Sequence, residues 1–410
     1  MYLMIVLSVL LLVNVESSAI AAEKIQVEGV HATLTCQDCH GEKVSERLHP
    51  ASAESHAAGC VTCHQGYDKI FNQAMTTRRA ERDFAQSFKA FDKHFFANNC
   101  NECHVSDCLD CHGGDGHNIA PASQKGCLSC HQGYYTGWEY LGMAPREDDP
   151  RYQRGGTFQG RHFLKMRPDI HAEKDLKCMD CHTMESLIAG ESSAKKCRDC
   201  HAPDPNVIEH GIAAHMQKLE CYSCHSAWVA QEYGTFFLRI DKNDPEILAA
   251  FHVDSEPVGD YLVRSYLHKQ DSPLLGLNNK GLISPIRPQF IAYYSDLRHS
   301  GDHSKENVLV SAQWKASFPH TLRRGTPMCD ACHNNPRRFL MEKEDERIYR
   351  IDLDGLGLSS FWSQDGQYVV NGQFLNAERV QALSARTPVF VKAYVEKWKK
   401  LINNVEDSSK

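Results

Sequence analysis

The chain has 410 residues, of which 42% are hydrophobic and 24% charged, with a formal net charge of −7. A balance this acidic offers no basic stripe for a phosphate backbone, which argues against nucleic-acid binding. The informative number is 18 cysteines, and their placement decides the class of the protein.

In chain order, Met1 to Val15 is almost unbroken apolar sequence; Ser17-Ser18-Ala19-Ile20-Ala21-Ala22 follows, and polar sequence begins at Glu23. This is the layout of a secretory leader over residues 1–22, cut after Ala21 or Ala22. Its n-region lacks Lys and Arg, which leaves an uncleaved anchor as the alternative. The apolar run is, however, shorter than the ~20 residues of a spanning helix. No cysteine near the cut could carry a lipid. No later segment reaches ~18 apolar residues, so the sequence predicts a periplasmic or extracellular chain that does not span a membrane after processing.

Every cysteine then falls in a Cys-x-x-Cys-His unit. The first five are Cys36/Cys39/His40, Cys60/Cys63/His64, Cys100/Cys103/His104, Cys108/Cys111/His112 and Cys127/Cys130/His131. The other four are Cys178/Cys181/His182, Cys197/Cys200/His201, Cys221/Cys224/His225 and Cys329/Cys332/His333. Two cysteines three positions apart reach both vinyl groups of one porphyrin, and the next residue lies under the iron as an axial ligand. A single unit would also suit a redox dithiol or half a zinc site. Nine units with no stray cysteine, each ending in His, do not fit those chemistries. The sequence therefore predicts nine covalent haem c groups.

Residues 23–225 form an eight-haem region, since eight units lie between Cys36 and His225. So dense an array leaves little chain for a conventional core. The haems would supply much of the apolar surface that folding removes from water. Only Val105, Ser106 and Asp107 separate His104 from Cys108, a span of at most ~14 Å, which makes the third and fourth sites neighbours. Between His131 and Cys178 the chain carries Tyr134, Tyr135, Trp138, Tyr140, Arg146, Arg151, Arg154, Arg161 and Arg167. A loop covering haem edges and pairing with propionates is favoured here over a substrate channel.

Residues 226–328 lack a haem motif, and read as a covering segment or a small core of their own. Residues 329–410 hold the ninth unit, then two short strands at Arg347–Ile351 and Gln367–Val370, and a final helix. Thr387 suits its N-cap and Pro388 its first turn; Phe390, Tyr394, Trp398, Leu401 and Ile402 form an apolar stripe, favoured as packing over a partner-docking face. The expected fold is an α-rich, loop-rich chain wrapped around a haem cluster, with minor β structure near the C-terminus.

The second axial ligand decides whether a haem transfers electrons or binds a small molecule. Of 23 histidines, nine belong to the motifs and 14 remain. His31, His56, His94, His171, His215 and His320 each recur shortly before a motif, and are expected as distal ligands, each serving a haem other than its neighbour. His49, His117, His162 and His210 are the next candidates. His252, His268, His299 and His303 read as ordinary histidines, and Met143, Met166 and Met184 as packing. Around the ninth unit lie Arg323-Arg324 and Arg337-Arg338, favoured as propionate partners over an oxyanion site.

The nine units resemble the multihaem c-type cytochromes of respiratory bacteria. One branch is similar to electron conduits of metal-reducing bacteria, with every haem six-coordinate. The other is similar to octahaem reductases and oxidases of nitrite, hydroxylamine or tetrathionate; this chain departs from it in having nine units and none of the Cys-x-x-Cys-Lys type. A looser similarity is to cytochromes associated with selenite or tellurite reduction. The resemblance implies redox partner proteins, such as a quinol-oxidising membrane complex or other cytochromes, with an outer-membrane conduit as a further partner. Electron transfer in anaerobic respiration is the leading expectation. Reduction of a small oxyanion or nitrogen oxide at one open haem is the alternative.

Overall fold

The computed structural model describes residues 31–40, 59–89, 93–100, 104–113, 119–131, 139–141, 152–158, 161–166, 169–190, 194–227, 229, 235–240, 273–296, 308–343 and 363–408. The leader and the strand expected at Arg347–Ile351 lie outside these residues. So do Cys103, His49, His56, His117, His252, His268, His299, His303 and Met143.

The β structure is larger than expected and begins earlier in the chain. Strands β1 (Glu139–Leu141), β2 (Tyr152–Phe158) and β3 (Arg161–Met166) make an antiparallel sheet in the order β1-β3-β2, where the sequence reading had a loop. The haem-poor segment folds as β4 (Thr235–Ile240), β5 (Leu274–Asn278), β6 (Ile283–Asp296) and β7 (Val308–Ala316). With β8 (Tyr368–Val369) and β9 (Gly372–Gln373) they form one sheet, ordered β8-β7-β6-β5-β9, with β4 parallel to β6. A β-carbon on Gly372 would clash with the Leu277 carbonyl oxygen, so only glycine fits the β5–β9 crossing.

The centre of the sheet is apolar. Trp314, Ile286 and Ile291 are wholly buried, and Trp314 Nε1 donates to Gln367 Oε1 at 2.5 Å. Leu275, Leu277 and Ile283 pack with Phe339, Leu375 and Val380, joining the sheet to the chain beyond the ninth unit. A second cluster fixes the sheet to the helices around the third unit. Phe290 stacks on Phe84 of helix Arg79–Gln86 with ring centres 4.7 Å apart, while Phe88 stacks on Phe95 at 4.3 Å.

The sheet also carries the eighth unit directly. The Ile283 carbonyl accepts from Glu220 N at 2.9 Å and from Ser223 Oγ at 2.7 Å. Replacing the buried Ser223 with alanine removes one donor and leaves the other in place. The expected cost is about 1 kcal/mol, read as a lower denaturant midpoint at unchanged slope. A loss above ~3 kcal/mol would contradict this division of the bond.

The final helix runs Pro388–Ser408, with Thr387 Oγ1 accepting from Phe390 N at 3.2 Å. Its early turns face the ninth unit: the Phe390 ring lies 5.0 Å from that of His333, and Tyr394 donates to Asp330 Oδ2 at 2.8 Å. Lys397 Nζ donates to Glu209, to Thr326 Oγ1 at 3.1 Å and to the Pro327 carbonyl at 2.8 Å. Burial alone would raise the Glu209 carboxyl, but the bond and charge of Lys397, with the Thr326 bond, hold it below its usual value. The expected stripe packs only in part, because Trp398, Leu401 and Ile402 remain exposed.

Candidate haem-binding sites

The motif turns follow from helix geometry. In seven units the His N–H bonds to the carbonyl of the first Cys four residues earlier, from 2.8 Å in His64→Cys60 to 3.2 Å in His225→Cys221. One helical turn puts both thiols on the same side and the imidazole just beyond them. Four units read Cys-x-Asp-Cys-His, and each Asp caps its own turn. Asp38, Asp110, Asp180 and Asp199 accept the backbone N–H of Thr35, Ser106, Lys177 and Lys196 at 2.6–2.7 Å. The Thr35 bonds hold the Asp38 carboxyl below its usual range. The recurrent Asp was visible in the sequence as half a capping box.

Five motif histidines each face a histidine from outside the motifs. Ring centres are 6.1 Å apart in His31–His64, 5.9 Å in His171–His201, and 6.1 Å in His182–His320, His210–His225 and His215–His333. Two imidazoles bound on opposite sides of one metal ion, each at about 2 Å, have ring centres about 6 Å apart. The residues therefore fit a bis-histidine haem at five units. His31, His171, His215 and His320 each pass over the motif that follows them and face another. His210 faces the eighth unit, the motif that follows it. His94 stands at the N-cap of helix Phe95–Asn99, just before the third unit. For His162 the described structure extends only to the backbone of β3.

Cys63, Cys130 and Cys200 are exposed, as are Cys36 and Cys60. Cys63, Cys130 and Cys200 each end a short helix (Cys60–Cys63, Gln124–Cys130 and Cys197–Cys200) that buries none of its own side chains. His40 is half-buried at the end of helix Cys36–His40. Among the described residues, no group of three or more His, Cys, Asp or Glu converges as a metal site made of protein alone would require. The recurring arrangement is instead a pair of rings with centres 5.9–6.1 Å apart.

His320 reaches the sixth unit from 138 positions away because its segment is clamped. Ala227 N donates to Thr321 O at 2.9 Å, Ile170 N to Leu322 O at 2.9 Å, and Arg323 N to His225 O at 2.8 Å. Burial, then the charges of His182 and His131, push the His320 imidazole down to about 4. Burial and His333 likewise lower His215. Both rings are thus neutral near pH 7, the form that binds a metal. Several rings are also oriented through Nδ1. His112 bonds the Ala120 carbonyl at 3.2 Å, His210 that of Asp204 at 3.1 Å, His225 that of Arg323 at 3.3 Å, and His333 that of Leu383. Such bonds leave Nε2 for the metal.

The units meet in a file. Cysteines of different motifs lie side by side at Cys60–Cys108, Cys127–Cys178 and Cys197–Cys221. Between these junctions the second cysteines meet the next unit. Gly59 abuts Cys39 O, Gly126 abuts Cys111 O, and Lys195 N donates to Cys181 O at 3.1 Å. Burial, then the neighbouring Cys332, push the Cys224 thiol up to about 12. Eight units thus follow one another in the order one, two, four, five, six, seven, eight, nine. The third stands by the fourth and leans on the helix Arg79–Gln86, with Cys100 near Arg78 and Glu81 and Val105 N bonded to Met75 O at 3.0 Å.

The arginines divide in a way that sequence did not show. Arg337 pairs with Glu342, with Nε–Oε1 2.8 Å, and the buried Arg338 is held by Pro273 O, Ser223 O and Cys332 Sγ, so both have protein partners. Arg323 pairs with Glu173 at 2.7 Å through one amine. Its other amine, NH2, is buried with no hydrogen-bond partner among the described residues. Next to His225, that is a donor of the kind a propionate uses.

No protein-family model matches the chain, and no curated protein or solved structure matches it. No described helix is long and apolar enough to cross a membrane.

Proposed function

We propose that the chain is an exported c-type cytochrome with nine covalent haems that passes electrons between redox partner proteins in the periplasm or outside the cell. The observation that carries this reading is the set of five motif histidines, each faced by a second histidine at 5.9–6.1 Å. A bound haem supplies a reversible one-electron couple of its iron. The chain's own part would be to hold a haem between two histidines at each of the five paired units and to bring successive units into contact. Adjacent cysteines such as Cys127 and Cys178 would make the haems bound through them neighbours, as a path for electrons requires.

His215 opposite His333 also bears on the rival reading, a reductase of an oxyanion or nitrogen oxide open at the ninth unit. It would give a haem at that unit a second histidine, which favours the carrier. Partners are then other cytochromes or a quinol-oxidising membrane complex, and an outer-membrane conduit fits the same role. The test is the intact mass and haemochrome spectrum of the purified protein. Nine haem masses above the polypeptide are expected, with low-spin iron at all five paired units. A mass near that of the bare chain would sink the reading. A high-spin fraction that shifts with nitrite or selenite would replace the carrier by the reductase.

A further inference from the structure

We infer that Asp169 is a positioning residue that sets the seventh unit apart as the most reducing of the five paired sites; this rests on the haem reading above. Asp169 is 1% exposed, and its carboxylate is fully engaged. Oδ1 accepts from the backbone N–H of His171 at 2.8 Å and lies 2.8 Å from His171 Nδ1; Oδ2 accepts from Leu322 N at 2.7 Å. His171 is the ring that faces His201 of the seventh unit. One carboxylate thus orients the outer ligand of the seventh unit and pins the segment that delivers His320 to the sixth.

Among the paired rings whose Nδ1 hydrogen bond is described, His210, His225 and His333 each direct Nδ1 at a neutral backbone carbonyl, whereas His171 directs it at a buried carboxylate. A carboxylate acceptor draws the Nδ1 proton and leaves Nε2 a stronger electron donor. A stronger axial donor favours the oxidised metal, so this site gives up its electron most readily. The step is a one-electron exchange with the neighbouring units and with a protein donor or acceptor; no bond is made or broken.

The experiment is a potentiometric titration of the holoprotein followed by electron paramagnetic resonance, on native protein and on Asp169→Asn, Asp169→Glu and His171→Met. Asp169→Asn should keep nine haems by mass while the lowest-potential site becomes at least tenfold easier to reduce, a rise of about 59 mV for one electron. Its low-spin signal should change in anisotropy as well. Asp169→Glu, which retains a carboxylate, should recover most of the native value. Should Asp169→Asn not accumulate, His171→Met decides alone, since the signal it abolishes must be the lowest-potential one among the five paired sites. Nine haems with unshifted potential and spectrum in Asp169→Asn, or loss of a higher-potential signal in His171→Met, would overturn the inference. A mass near the bare polypeptide would overturn the proposed function instead.

Discussion

On the nine-haem reading proposed above, replacing His320 with alanine is expected to leave all nine haems attached and to turn about one-ninth of the iron high-spin. Cys178, Cys181 and His182 are untouched by the change, so the sixth unit keeps its thioether pair and inner ligand and loses only the facing ring. The clamp around it does not depend on the imidazole, because Thr321, Leu322 and Arg323 are held through their backbone atoms. Added imidazole should therefore restore the low-spin spectrum. A second arm uses the backbone. His320 has φ of 52°, in the left-handed region where a residue with a β-carbon is strained and glycine is not. His320→Gly should accordingly be about 1 kcal/mol more stable than His320→Ala, by denaturant unfolding, with the same spectrum. A wholly low-spin alanine variant would mean that another group binds the sixth unit.

What the sequence made legible here was local chemistry. Among the described residues, five of the candidate outer ligands face motif histidines, and four of them, His31, His171, His215 and His320, face a motif other than the one they precede. Those histidines could be picked out because they recur at short spacing before a motif. Which unit each one faces was not legible, because that depends on contacts such as Ala227 with Thr321, far apart in sequence. Strand β6 was hidden for a related reason. Pro285 and Pro288 argue against a central strand, since proline cannot donate to the ladder. The fold absorbs Pro288 at a register shift between Pro288 and Ile291, where Phe290 takes φ of 69°. Asp169 was passed over because a lone Asp two residues before a His has no sequence signature until burial and Leu322 close around it.

Arg338 is where the sheet, the eighth unit and the ninth unit are tied together, and its replacement should carry the largest cost in stability. The side chain is 2% exposed on the short turn Pro336–Phe339. Its Nε donates to Pro273 O at 3.0 Å, one amine to Ser223 O at 3.3 Å and the other to Cys332 Sγ at 3.2 Å. Arg338→Met retains most of the apolar stem but leaves two buried carbonyls without this donor, at about 1–3 kcal/mol each. The expected loss is about 3 kcal/mol, measured as a denaturant midpoint shift at constant slope. Arg338→Lys should fall between the two, because an ammonium on a flexible stem cannot reproduce the planar fork. The charge has its own readout. A cation beside Cys224 and Cys332 disfavours the oxidised, more positive state of groups held there. Its removal should therefore lower the potentials of the eighth and ninth sites and leave those near the first unmoved. A methionine variant within about 1 kcal/mol of native, with no site shifted, would show that the eighth and ninth units are joined by something other than this guanidinium.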